Sequence, residues 1–332
     1  MDRKDFTGIS GTRLNRRAML AGSAALGIRF SIPLRPAVAA QFDQSQIELV
    51  WQSAGTEETP LLQPDGVAVA PDGSIAVSNT KRNHILVLSS EGEFVEVWGE
   101  AGTGPGQFMF SDTFGSFIGD LDFDADGNCY VFDAFNFRVQ KFSPEHELIL
   151  EITGETDDVP FDGNVGGCVD RVGQRLFVTD FSDQVRVFGL DGSFLLKFGS
   201  NGIEDGQFFW PFDVAVAGDG SIYVGELKGK RAQKFDGEGN FLERVTEPEL
   251  GTVEEVYYLA VDPDGNLFLT DQVQHVIRIY APDATLLGMI EEVPGYGKIG
   301  LAAGLAFDTE GFLLVTDSFE HQVLKLKMPN LA

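Results

Sequence analysis

Cysteine and histidine are both scarce in this chain of 332 residues, which holds two of the first and four of the second. Cys129 and Cys168 form no Cys-x-x-Cys motif, and no Cys/His spacing suits a zinc site. Basic residues are short as well, since 24 Lys and Arg face 51 Asp and Glu for a net charge of −27. So anionic a surface repels phosphate backbones and acidic membrane surfaces, which excludes nucleic acid as a partner. It favours cationic ligands, metal ions or solubility in a salty medium. Long apolar runs are missing too, and no membrane span is expected in the mature chain.

The first 39 residues stand apart. Arg16-Arg17 precede a mild apolar run over residues 18–28, and Ala37-Val38-Ala39 supplies small residues for cleavage. That layout resembles a twin-arginine (Tat) signal peptide, which implies transport of an already folded protein. As an anchor helix the run is too short, being broken by Gly22 and Gly27 and closed by Arg29, whereas a bilayer core is ~30 Å thick. The expected division is a leader at 1–39 and a single domain at 40–332, found in the periplasm or outside the cell. Losing the leader removes seven basic and two acidic residues and takes the net charge to −32.

What is present is a repeat. Pro211-Phe212-Asp213-Val214-Ala215-Val216 reads as a strand, Asp219-Gly220 as a tight turn and Ile222-Tyr223-Val224 as a second strand. Variants of this hairpin occur six times, and the starts of their second strands, at Ile75, Cys129, Leu176, Ile222, Leu267 and Leu313, are 54, 47, 46, 45 and 46 residues apart. Each unit adds a third strand, and five add a fourth. A period near ~40–50 residues with four short strands predicts an all-β, six-bladed β-propeller. The sixth unit stops after its third strand, around Val323-Leu324-Lys325-Leu326. Residues 46–55, ending Trp51-Gln52-Ser53-Ala54-Gly55, repeat the pattern of residues 93–102 and are expected to supply the missing strand and close the ring.

Asp133 ends a second strand and is followed by Asn136-Phe137-Arg138-Val139-Gln140-Lys141-Phe142. This run resembles the Asp-x-x-Asn-His-Arg-Val-x-x-Phe signature of NHL-repeat propellers, a likeness that extends over about residues 46–327. It implies architecture and says little about activity. His275 and His321 fall where that signature has His, His84 lies one place later, and His146 lies in a turn. Repeat-structural or surface roles are expected for all four. Asp133, Asp180, Asp271 and Asp317 recur once per blade, which implies loop-fixing hydrogen bonds. The cysteines align with apolar core positions; pairing and free thiols both stay open.

Among enzymes, the chain resembles the six-bladed peptidyl-hydroxyglycine amidating lyases, whose axial zinc is held by histidines at the mouths of the inner strands. The matching residues here are Asp65, Gly119, Gly166, Phe212, Tyr257 and Ala303, none of them imidazole. Calcium-dependent lactonase and esterase propellers are a second likeness. Calcium takes six to eight oxygens, and Asp120 and Asp213 occupy matching positions, with Asp65 one residue off. These carboxylates either hold calcium or another divalent cation, or are solvated residues at the channel mouth. The extra length before the second unit contains Phe114 and Phe117, expected either to plug the fold or to wall a pocket with Trp210, Phe212, Tyr257 and Tyr258.

Two functions follow. One is a cofactor-free binding module, monomeric, taking a protein or small-molecule ligand on the face where the inner strands begin. The other is an axial-site enzyme, a metal-assisted lyase or hydrolase.

Overall fold

The computed structural model describes residues 42–111, 118–153, 161, 164–246, 253 and 255–331. Six antiparallel sheets of four strands stand around one axis. Their innermost strands are Pro64–Val69, Asp120–Phe123, Asn164–Asp170, Pro211–Val216, Val256–Val261 and Ala302–Phe307, and each lies against the next, the last returning to the first. The expected β-propeller is therefore present. Among the described residues no helix is long and apolar enough to cross a membrane.

Blades 1 to 5 are built from consecutive strands. Blade 6 combines Ala302–Phe307, Leu313–Asp317 and Gln322–Lys327 with Glu48–Ser53 from the other end of the chain. Leu49 pairs with Leu326, Gln52 with Leu324 and Ser53 with Val323, so the ring closes as the repeat pattern predicts.

Second strands such as Ile75–Asn79 and Leu267–Asp271 are buried along their whole length, because a neighbouring blade covers each side. Outer strands such as Phe94–Trp98 are exposed over most of theirs. Tight turns join the first two strands, and Gly73, Gly127, Gly220, Gly265 and Gly311 hold φ between 83° and 89°, where a side chain would be strained. The core is a set of apolar seams between adjacent blades, such as Leu121, Val131, Phe108 and Phe110 with Ile85 and Val87. Both cysteines are free thiols. Cys129 belongs to a seam and Cys168 faces the axis.

In four blades the acid or amide that ends the second strand fixes the loop that leads into its own blade. Asp133 Oδ1 accepts the Met109 N–H at 2.7 Å, Asn79 that of Leu62 at 2.8 Å, Glu226 that of Phe209 at 2.8 Å and Asp317 that of Gly300 at 2.7 Å. Four residues after Asn79, Asp133, Glu226, Asp271 and Asp317, and three after Asp180, the chain adopts positive φ, and four of these six residues grip the following blade. Asn83 accepts from Phe110 N, Asp183 from Trp210 N and His321 Nδ1 from Gln63 N, while His275 meets Gly300 O at 2.6 Å. His84 Nε2 lies 3.0 Å from the Asn79 amide. Three of the four histidines are thus parts of the repeat.

Candidate functional site at the axial channel

In five blades the innermost strand slips against its neighbour near its start, between Pro64 and Val67, Asn164 and Gly167, Pro211 and Asp213, Val256 and Leu259, and Ala302 and Leu305. Such bulges re-aim side chains. Hydroxyls from the second strands take up the freed N–H groups: Ser78 that of Gly66, Thr179 that of Gly166 and Thr270 that of Tyr258, at 2.9–3.1 Å. Asp65, Phe212, Tyr257 and Tyr258 all lie within these bulges.

The aspartates are not solvated. Asp65, Asp120 and Asp213 are 0%, 8% and 4% exposed, because the inner strands approach closely. A Cβ on Gly66 would lie 2.8 Å from Asp120 Oδ1, and one on Gly304 2.4 Å from Asp65 O. Each carboxylate instead staples its strand to the next blade. Asp65 Oδ2 accepts from Gly119 N at 3.1 Å and from the Tyr258 hydroxyl at 2.5 Å. Asp120 accepts from Leu121 N and Gly167 N, and Asp213 from Val214 N and Leu259 N, at 2.8–3.2 Å.

Asp120 and Asp213 flank Gly166, whose Cβ would stand 3.0 Å from Asp213 Oδ1 and 3.4 Å from Asp120 Oδ2. Burial pushes the Asp120 carboxyl up to about 7, with Asp122 and Asp65 adding repulsion and the N–H bonds opposing it. Burial also drives Asp213 well above the usual carboxylate range, with Asp120 the next cause. Each of the four oxygens of this pair accepts one backbone N–H, whereas calcium takes six to eight oxygen ligands. Among the described residues no group of three or more His, Cys, Asp or Glu side chains is placed to hold a metal ion.

Beyond the pair the channel widens into a cavity of about 170 Å³, lined by Asp120, Asp122, Asp213, Tyr258, Cys168 and Arg171 among apolar residues. Arg171 spans its far end, donating to Phe123 O at 2.8 Å and Val69 O at 2.9 Å, with Asp122 Oδ1 at 3.6 Å. Asp122, Cys168 and Arg171 were not singled out as site residues from the sequence. The first was detectable, since Asp120 and Asp122 alternate on a strand and so share a face.

The near end is closed by aromatic packing. Phe212 meets Tyr257 edge-on at 4.9 Å and Tyr258 at 5.4 Å, within a buried cluster that includes Leu227 and Ala303 and is flanked by Ile118 and Trp210. Trp210, Phe212, Tyr257 and Tyr258 do converge, but as a stopper to the channel instead of an open pocket wall. Phe114 and Phe117 lie outside the described residues. On the loops around this stopper, among exposed polar and charged residues, Phe137, Phe181, Phe209, Val273 and Phe319 are each at least 40% exposed. Four of these follow second strands, which run back towards the mouth, and Phe209 lies in the loop leading into blade 4.

No family model matches the chain. Peptidylglycine alpha-amidating monooxygenase of Rattus norvegicus is 29% identical over 197 residues, 54% of this chain and 19% of the relative. The Mus musculus protein is 28% identical over the same length. The chain therefore spans about a fifth of the curated relatives it matches. Among solved structures, a gluconolactonase from Xanthomonas campestris has a TM-score of 0.63 at 17% identity and covers 89% of this chain and 94% of its own. Virginiamycin B lyase from Staphylococcus aureus has a TM-score of 0.59 at 12% identity, covering 86% of this chain and all of its own. At these identities the likeness shows a shared six-bladed propeller fold.

Proposed function

We propose that the protein is an exported binding propeller of NHL-repeat type, whose ligand, a protein segment carrying apolar and basic side chains, docks on the face where the inner strands begin. One observation carries this reading. On an otherwise strongly acidic molecule, Phe137, Phe181, Phe209, Val273 and Phe319 are exposed together around the blocked mouth. Large apolar side chains gathered on a polar surface mark interaction sites.

A second reading is favoured by the cavity beneath the stopper. A carboxyl held near neutrality is suited to proton transfer, and Asp120 lines that cavity beside Asp213, in a chain partly similar to an amidating enzyme. The test sets the two apart. A library of displayed peptides is screened on the mature protein, and the same preparation is incubated with a peptidyl-hydroxyglycine. Enrichment of apolar-basic peptides, lost in Phe181→Ser with Phe319→Ser, supports binding. Release of the peptide amide, abolished by Asp120→Asn, establishes the enzyme instead.

A further inference from the structure

We propose that the cleft between blades 1 and 2, on the face opposite the channel mouth, is a binding site for a small organic cation, a protonated amine with a short apolar body. The argument begins with the turn between the third and fourth strands. In every blade that has this turn, one residue adopts positive φ: Gly92, His146, Gly192, Gly239 and Ala284. Where it is glycine, a side chain from the preceding blade lies flush against it. A Cβ on Gly92 would meet the Trp51 ring at 2.7 Å, one on Gly192 the Leu150 side chain at 2.9 Å, and one on Gly239 the Phe198 ring at 2.6 Å.

Blade 2 departs from this rule. His146 occupies the position at φ 63°, a conformation glycine adopts freely and histidine does not. The aromatic of the preceding blade, Trp98, therefore cannot lie on the turn backbone and stacks on the imidazole, with ring centroids 4.5 Å apart and planes 8° off parallel. Trp51 donates its indole N–H to the Ser90 carbonyl of the turn it covers, at 3.0 Å. Trp98 makes no equivalent bond among the described residues. The spacing opens a cleft of about 330 Å³, roughly twice the axial cavity and in the range where ligand pockets start, ~300 Å³.

Its lining selects the occupant. Trp98, Phe123, Pro71 and Pro144 give apolar walls, and Asp72, Glu96 and Asp126 place carboxylates among them with no Lys or Arg. His146 Nε2 pairs with Glu96 Oε1 at 2.9 Å, whereas its Nδ1 is buried without a hydrogen-bond partner among the described residues. Three carboxylates beside an aromatic wall suit an ammonium donor on an apolar stem.

Benzylamine, charged at neutral pH, is the probe, titrated into the mature protein at low salt and followed by tryptophan fluorescence and calorimetry. Saturable binding of one equivalent is expected, weakened at least tenfold in His146→Gly and severalfold in Glu96→Gln, with benzyl alcohol failing to compete. His146→Gly should fold at least as well as the parent, since it relieves the positive φ; its thermal unfolding verifies this. Absence of saturable binding, equal affinity in His146→Gly, or equal affinity for benzyl alcohol would overturn the site.

Discussion

Asp213 joins two blades with two oxygens, each taking one backbone N–H, from Val214 and Leu259. Asparagine offers only one acceptor there, so Asp213→Asn strands a buried N–H against an amide and is expected to cost about 1–3 kcal/mol, read as a lower midpoint in urea unfolding. This reverses the sign expected of a solvated carboxylate on an acidic surface, whose removal would be neutral or stabilising. Asp120 makes a pH prediction. The folded chain holds its proton up to about pH 7, whereas an unfolded aspartate releases it near ~4. Between those values the folded state binds more protons, so this contribution is complete below about pH 4 and is lost as pH rises through 7. The melting temperature should fall from pH 5 to 8, and Asp120→Asn should flatten that slope; an equally steep variant would refute the assignment. Residue types and matching positions were legible in the sequence, which paired Asp120 with Asp213. Their burial was not, because it depends on Gly66, Gly166 and Gly304 letting strands from different blades come within contact, a distance that no local pattern encodes.

At the level of elements, loops that link blades are held by the acid or amide at the end of the second strand. Asp133 binds Met109 N, Asn136 and Arg138, and both ends of the Asp133–Arg138 pair are buried. Asp133→Ala leaves the Met109 N–H and the Arg138 Nε without their acceptor, although Glu151 still pairs with the guanidinium, and should cost about 1–3 kcal/mol, with faster hydrogen exchange concentrated in the loop around Met109. The closing strand makes the second prediction at this scale. A chain beginning at Thr56 lacks Glu48–Ser53, bares the edge at Gln322–Lys327 and uncovers part of an apolar seam containing Leu324 and Leu326. It should aggregate or lose its single cooperative transition. An unchanged melting curve would show that the strand is dispensable. The period made this closure readable, since Trp51 repeats Trp98 in position. The same alignment concealed the difference at the next step of the chain, where one residue, His146 in place of glycine, changes how two blades meet.

Over the whole molecule, the repeat fixed blade number and order, while the axis escaped prediction because six strands contribute to it and no single stretch describes it. Even the aromatic residues expected there, Phe212, Tyr257 and Tyr258, were identified as a group without revealing that they seal the channel. The proposed leader carries the last prediction. Arg16→Lys with Arg17→Lys keeps the charge but removes the paired guanidiniums, and precursor should then build up in the cytoplasm; undiminished processing would exclude a twin-arginine route. The closed ring adds a constraint of timing. Glu48 and Lys327 meet across a gap of 279 residues, and at ~5–20 residues per second a ribosome needs roughly 15–55 s to cover it. The strand made first must wait that long for the strand made last. A secretion route that threads the chain during synthesis would put the two on opposite sides of a membrane for most of that interval, whereas one that accepts finished proteins receives the ring already shut.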